Sequence, residues 1–312
     1  MIYLGFDTSN YTTSVACCGD ASLNIRRLLE VKQGERGLRQ SDALFQHIKQ
    51  LPGLYSELCR GIDIKKAAAA GVSIRPRSVE GSYMPVFLAG EGYAKVCADS
   101  LGIPLYTFSH QDVHIMAGIH SAQAYFLLEK PFISVHLSGG TCEILLTEYN
   151  NYGFAVKIIG GTRDISAGQL IDRVGVAMGM RFPAGAELER LAKTADKPVR
   201  LPVNTDGGYI NFSGIETKTL SLIGKEDNAG LALGLFCSVA RALSLAVEYC
   251  VKSLNIKDVL IAGGVASNSI IKEYLVSNTD ADIYFASPEL STDNAYGIAL
   301  LAELCGRNSV SE

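Results

Sequence analysis

The sequence has eight cysteines but no C-x-x-C pair, so neither a zinc ribbon nor a disulfide framework is indicated. Cys17 and Cys18, adjacent in an apolar run, point to opposite faces of a strand and read as reduced core thiols. Positive charge is not in excess: 28 Lys and Arg against 32 Asp and Glu give a net charge of −4. That balance speaks against autonomous nucleic-acid binding driven by phosphate neutralisation. Three basic clusters do occur, Arg26-Arg27, Lys65-Lys66 and Arg75-Pro76-Arg77; they form a patch or are ordinary solvated surface. No basic stretch with an apolar core and cleavage site opens the sequence, because residues 1–6 run straight into Asp7, and the expected compartment is the cytoplasm. The most apolar long segment, residues 229–251, carries Arg241 and Glu248. It predicts a buried amphipathic helix and no membrane partner.

Length and composition leave room for about two domains, and 48% apolar residues suffice for a core in each. Two of the five histidines, His110 and His114, lie four apart. On a helix this spacing puts both imidazoles on one face, the geometry a divalent metal needs from two nitrogen ligands; a solvated helix face is the plainer alternative. Ser109, followed three residues later by Asp112, is a capping-box start that makes His110 the first helical residue. Zinc proteases of the H-E-x-x-H type need a glutamate directly after the first histidine, and Gln111 stands there, so that mechanism is disfavoured. A third candidate ligand is Asp293, which precedes the last predicted helix and either caps it or reaches a metal.

Twice the chain reads as strand, polar turn, strand. Residues 2–6 lead through Asp7, Thr8, Ser9, Asn10, Tyr11, Thr12 and Thr13 to residues 14–18. Such a turn is a candidate phosphate or metal-water cradle, or a plain hairpin turn. Residues 132–137 lead through Ser138-Gly139-Gly140-Thr141 to residues 142–146. The repetition predicts two similar halves whose facing hairpins would clasp a nucleotide, with backbone amides approaching the anion at the glycines. Alternation in the strand puts His136 on its polar side. Between the halves, a helix over 41–59 broken near Pro52, a strand over 70–74, an irregular segment over 75–83 carrying Arg75, Arg77 and Glu80, and a helix over 86–100 are expected. In the second half, helices open near Ser166 and Glu187, and Asp172 and Glu189 are helical acids that bind ribose hydroxyls or face water. Residues 258–268 read as a strand, paired glycines and a helix start, a common solution for packing against a base or phosphate. The spacing is not G-x-G-x-x-G, so a Rossmann dinucleotide site is not supported.

Over residues 1–305 the chain resembles the tRNA threonylcarbamoyladenosine synthase family, once called O-sialoglycoprotein endopeptidases. The resemblance rests on Ser109-His110-x-x-x-His114, Ser138-Gly139-Gly140, Gly263-Gly264-Val265-x-x-Asn268 and Thr292-Asp293-Asn294-Ala295, in that order. It implies an α/β fold of the actin, heat-shock-chaperone and sugar-kinase type, a duplicated two-domain fold with an interdomain cleft. The implied subdomains are 1–130 and 131–312, with the final helix packing back on the N-terminal half. Family ligands carry over to His110, His114 and Asp293 for a divalent metal, iron or zinc, and His136 stands where some members add a tyrosine ligand. Contacts to ATP or threonylcarbamoyl-AMP carry over to His136, Leu137, Ser138, Gly139, Gly140, Asp172, Gly185, Glu189 and Asn268. The implied reaction moves a threonylcarbamoyl group from threonylcarbamoyl-AMP to N6 of adenosine in tRNA, helped by companion proteins. Tyr11-Thr12 stand where the family has an Asp-Glu pair, and the segments around Arg75-Pro76-Arg77-Ser78 and Thr141-Cys142-Glu143 also depart from its pattern. Asp7 is then the nearby carboxylate left for proton handling at the acceptor amine, and the candidate catalytic group. The competing reading is a divergent paralogue: a nucleotide- and metal-binding regulator, or a small-molecule carbamoyltransferase or kinase of the same fold. Paired histidines weigh against a kinase, which binds magnesium through carboxylates and phosphate.

Overall fold

The computed structural model describes residues 1–9, 11–31, 38–79, 81–290 and 293–309; Asn10, Glu80, Ser291 and Thr292 lie outside the described residues. Chain packing separates two compact units: Met1–Tyr125 with Tyr149–Ala155 and Glu289–Glu312, and Phe126–Glu148 with Val156–Pro288.

The first unit begins with β1 (Ile2–Asp7), β2 (Thr12–Gly19) and β3 (Leu23–Leu28), continues through α1 (Gln40–Gly61), β4 (Ala67–Arg75), α2 (Phe87–Leu101) and β5 (Leu105–Ser109), and reaches α3 (His110–Ser121). Its sheet runs β3-β2-β1-β4-β5, with β1 antiparallel to β2 and parallel to β4. All six residues of β1 are buried, the signature of a strand covered on both faces. Ile2, Leu4 and Phe6 pack with Leu51, Leu54 and Leu58 of α1 and with Ala89, Ala94 and Ala98 of α2. Strand parity turns Tyr3, Gly5 and Asp7 the other way. The expected break at Pro52 does not occur, for α1 runs on through it. Proline removes a donor to the carbonyl four residues back, and that carbonyl, on Ile48, accepts instead from the Tyr93 hydroxyl at 3.4 Å.

The second unit contains β6 (Phe132–Leu137), β7 (Cys142–Tyr149), β8 (Phe154–Thr162), α4 (Ala167–Ala177), α5 (Gly185–Ala192), β9 (Thr205–Asp206), β10 (Tyr209–Ile210), α6 (Ser213–Leu222), α7 (Asn228–Leu254), β11 (Asp258–Ala262), α8 (Ser269–Asn278) and β12 (Asp282–Phe285). Its sheet runs β12-β11-β6-β7-β8-β10-β9. The centre repeats the first sheet, since β6 is antiparallel to β7 and parallel to β11, which is parallel to β12. By length and composition α7 would cross a membrane, but 78% of its most apolar 18-residue window is buried. Leu231, Leu235, Val239, Leu243 and Val247 form the spine of that unit's core. The chain closes with α9 (Tyr296–Ser309), which packs in the first unit against β1, β4 and α3.

Candidate metal and nucleotide sites

The capping box expected at α3 is present: Ser109 Oγ accepts from the Asp112 amide at 3.2 Å and the Asp112 carboxylate accepts from the Ser109 amide at 2.8 Å. Asp112 also accepts from the Phe154 amide at 3.1 Å and from Ser78 Oγ at 3.2 Å, so the start of α3 is held from three directions. This fixes His110 in the first turn and His114 in the next. The two Nε2 atoms lie 2.9 Å apart, and Asp293 Oδ1 lies 3.3 Å from the first and 3.5 Å from the second. Asp293 does not cap α9. Asn294 does, its Oδ1 accepting from the amides of Tyr296 at 3.0 Å and Gly297 at 3.3 Å. The close crossing of α9 over α3 requires glycine at 297, where a Cβ would collide with the Val113 carbonyl oxygen between the two histidines.

These three donors suit a divalent ion. Ligand atoms about 2.1 Å from a tetrahedral ion stand about 3.4 Å apart, close to the spacings here. All three side chains keep some exposure, 18%, 12% and 18% for His110, His114 and Asp293, so the site is reachable. Burial pushes the Asp293 carboxyl up, but the hydrogen bonds and charge of the two histidines outweigh it and hold it well below the usual carboxylate range. Burial pushes His110 down, and Asp293 and Asp7 more than reverse that. Asp7, fully buried, is itself pushed up by burial against the opposing charge of His110. Two imidazole nitrogens and a carboxylate oxygen converging on one point form a donor set that a divalent cation would fit.

In the turn after β1, the hydroxyls of Thr8, Ser9 and Thr13 are engaged inside the protein. Thr8 Oγ1 donates to the Val86 carbonyl at 2.8 Å and accepts from the Gly90 amide at 3.0 Å, pinning α2. Thr13 Oγ1 lies 2.8 Å from His47 Nδ1 and donates to Gln50 Oε1 at 2.7 Å, pinning α1. Ser9 Oγ donates to Asp7 at 2.8 Å, and so does Ser73 Oγ of β4. Ser73 went unremarked in the sequence, where nothing separates it from any other polar residue in a strand.

In the second unit, the tip of the β6–β7 hairpin is closed by Ser138 N donating to the Thr141 carbonyl at 2.9 Å and by the Ser138 hydroxyl, 2.9 Å from Thr141 Oγ1. His136 is half-buried, its Nδ1 3.2 Å from Thr141 Oγ1. A Cβ added to Gly139 or Gly140 would meet nothing within 4 Å, so no internal packing demands glycine there. Ser166 Oγ at the start of α4 donates to the Gly139 carbonyl at 2.7 Å. At Gly168 a Cβ would stand 2.5 Å from Gly139 Cα and 2.8 Å from the Ser138 carbonyl oxygen, and the absent side chain lets tip and helix touch. Pairing of His136 with Ala262 brings the residue 263–268 turn to the same end of the sheet. The polar side chains expected to touch nucleotide also hold backbone. Asp172 accepts from the Ala184 amide at 2.8 Å beside Gly185, Glu189 accepts from the Ser269 amide at 3.0 Å and hydroxyl at 2.7 Å, and Asn268 caps α8 through the Ile271 amide at 3.0 Å.

A model of the family described as tRNA N6-adenosine threonylcarbamoyltransferase matches residues 29–300. A Thermus thermophilus protein of that name is 30% identical over 317 residues, covering 97% of this chain and 92% of the relative. One from Thermosipho africanus is 26% identical over 315 residues, covering 96% and 93%. Among solved structures, the activator of the 2-hydroxyisocaproyl-CoA dehydratase from Clostridium difficile with bound ADPNP superposes with a TM-score of 0.57 at 14% identity, covering 100% of this chain and 97% of that one. A ROK family glucokinase from Streptomyces griseus does so at 0.53 and 11%, covering 97% and 99%. At such identities the likeness shows the fold alone, the actin, chaperone and sugar-kinase fold that the sequence implied.

Proposed function

This chain belongs to the tRNA N6-adenosine threonylcarbamoyltransferase family, a family of transferases, and from that premise we propose that it moves a threonylcarbamoyl group from threonylcarbamoyl-AMP to N6 of an adenosine in tRNA. The observation that supports this best is the convergence of His110 Nε2, His114 Nε2 and Asp293 Oδ1. Two imidazoles and one carboxylate are a donor set for zinc or ferrous iron. Bound there, the ion would supply Lewis acidity to a carbonyl oxygen of the donor. The tip from His136 through Leu137, Ser138 and Gly139 to Gly140, open at its two glycines, takes the adenylate together with Gly185 and Asn268, while Asp172 and Glu189 hold the frame. In the reaction, N6 bonds to the carbamoyl carbon, the bond from that carbon to the AMP oxygen breaks, and N6 gives up a proton. A net charge of −4 supplies little attraction for phosphate, so tRNA docking is assigned to companion proteins in the cytoplasm.

The test supplies threonylcarbamoyl-AMP, companion proteins and unmodified tRNA, and looks for the modified adenosine by mass spectrometry. Product from the wild-type chain and none from His114→Ala is expected. No product from the wild type, where an established family member converts the same tRNA, would favour a nucleotide- and metal-binding regulator.

A further inference from the structure

We infer that Asp7 is a positioning residue for His110, holding the imidazole so that Nδ1 carries the proton and Nε2 keeps its lone pair for a divalent ion. The inference rests on the metal reading of the His110, His114 and Asp293 cluster. His110 Nδ1 is buried and has no hydrogen-bond partner among the described residues. The carboxylate facing it is Asp7, whose Oδ2 stands 3.8 Å away. That is longer than a hydrogen bond but within ion-pair range, and in this proposal the two groups draw in to a hydrogen bond when the ion is held. Asp7 is 0% exposed, so it reaches a substrate through His110 and not directly.

Its placement is over-determined. Strand parity turns Asp7 toward the face of the sheet that α9 and α3 cover, and two hydroxyls on different segments clamp it, Ser9 from the turn and Ser73 from β4. Both clamps are donors, so the carboxylate keeps acceptor capacity for an imidazole N–H. A metal-bound histidine donates its second ring N–H to a carboxylate or carbonyl, and that bond decides the tautomer. Without it, the Nε2–H tautomer competes, and that form has its lone pair on Nδ1 and none at Nε2 for the ion.

The experiment titrates the full chain with cobalt(II), following the visible absorption of the bound ion and competing it with a chelator. Asp7→Asn preserves the volume and one acceptor for the serines; Asp7→Ala removes both. Cobalt affinity is expected to fall about 10- to 100-fold in Asp7→Asn with an altered spectrum, while the metal-free variant still unfolds in one cooperative transition. Nitrogen-15 NMR of histidine-labelled, zinc-loaded wild type needs no variant to fold, and His110 protonated at Nδ1 is expected. Equal affinity and an unchanged spectrum in Asp7→Asn, or His110 protonated at Nε2 in the loaded protein, would overturn the positioning role alone. Failure of the wild type to bind either ion would remove the metal reading and this role with it.

Discussion

The two central hairpins share a strand topology and put their turns to opposite uses. After β1, Thr8, Ser9 and Thr13 are buried and engaged by the protein itself, so the turn braces α1, α2 and Asp7. After β6, Gly139 and Gly140 are exposed and touch nothing internal on their side-chain face. One turn is built into the packing of neighbouring elements; the other leaves its glycines open, which is what the proposed nucleotide site asks of it. The sequence offered the first turn as a phosphate or metal-water cradle or as a plain hairpin turn, and its hydroxyls at Thr8, Ser9 and Thr13 are buried.

The largest effect expected from separating the two is that of Asp293→Asn. It should weaken metal binding more than about 100-fold, exceeding the loss from an outer partner, while AMP affinity measured by calorimetry stays within about twofold, since AMP lacks the threonylcarbamoyl carbonyl that the ion would meet. A parallel fall in AMP affinity would show that the two turns do not work separately. Next comes Gly168→Val, which forces a side chain into the Gly139 backbone. Overpacking of this kind costs about 1–3 kcal/mol, readable in urea unfolding, and AMP binding should be lost with metal binding intact; a variant that binds AMP normally would remove the tip from the nucleotide site.

The smallest effect separates an exposed carboxylate in the second unit from the buried Asp7 of the first. Asp164 accepts from the Phe212 and Ser213 amides, both at 2.9 Å, at the start of α6. Burial would raise its pKa, but these hydrogen bonds prevail and hold it down at about 2, below the ordinary 3.8. A depressed folded-state value means that the stabilisation is complete above the unfolded pKa and lost as pH falls through the folded one. Between pH about 4 and 2 the melting temperature should therefore drop more steeply in wild type than in Asp164→Asn. Parallel curves would mean that the cap contributes nothing measurable.

What the sequence determined by itself was whatever a few neighbouring residues encode. The capping box at Ser109, the one-turn spacing of His110 and His114, the two hairpins and the buried helix over Asn228–Leu254 all rest on periods and caps within one window. Pro52 shows the limit of such reading, because the carbonyl it disconnects finds its partner on α2, far along the chain. Asp293 shows it more sharply. The sequence left Asp293 either capping α9 or reaching a metal; in the fold Asn294 takes the cap, α9 packs across α3 at Gly297, and Asp293 faces the histidines. Likewise Ser73 and Asp7 meet because β1 and β4 lie side by side in one sheet. Local hydrogen bonds set the elements, and tertiary packing set which buried polar groups found one another, since each such group must be satisfied by whatever the fold brings within reach.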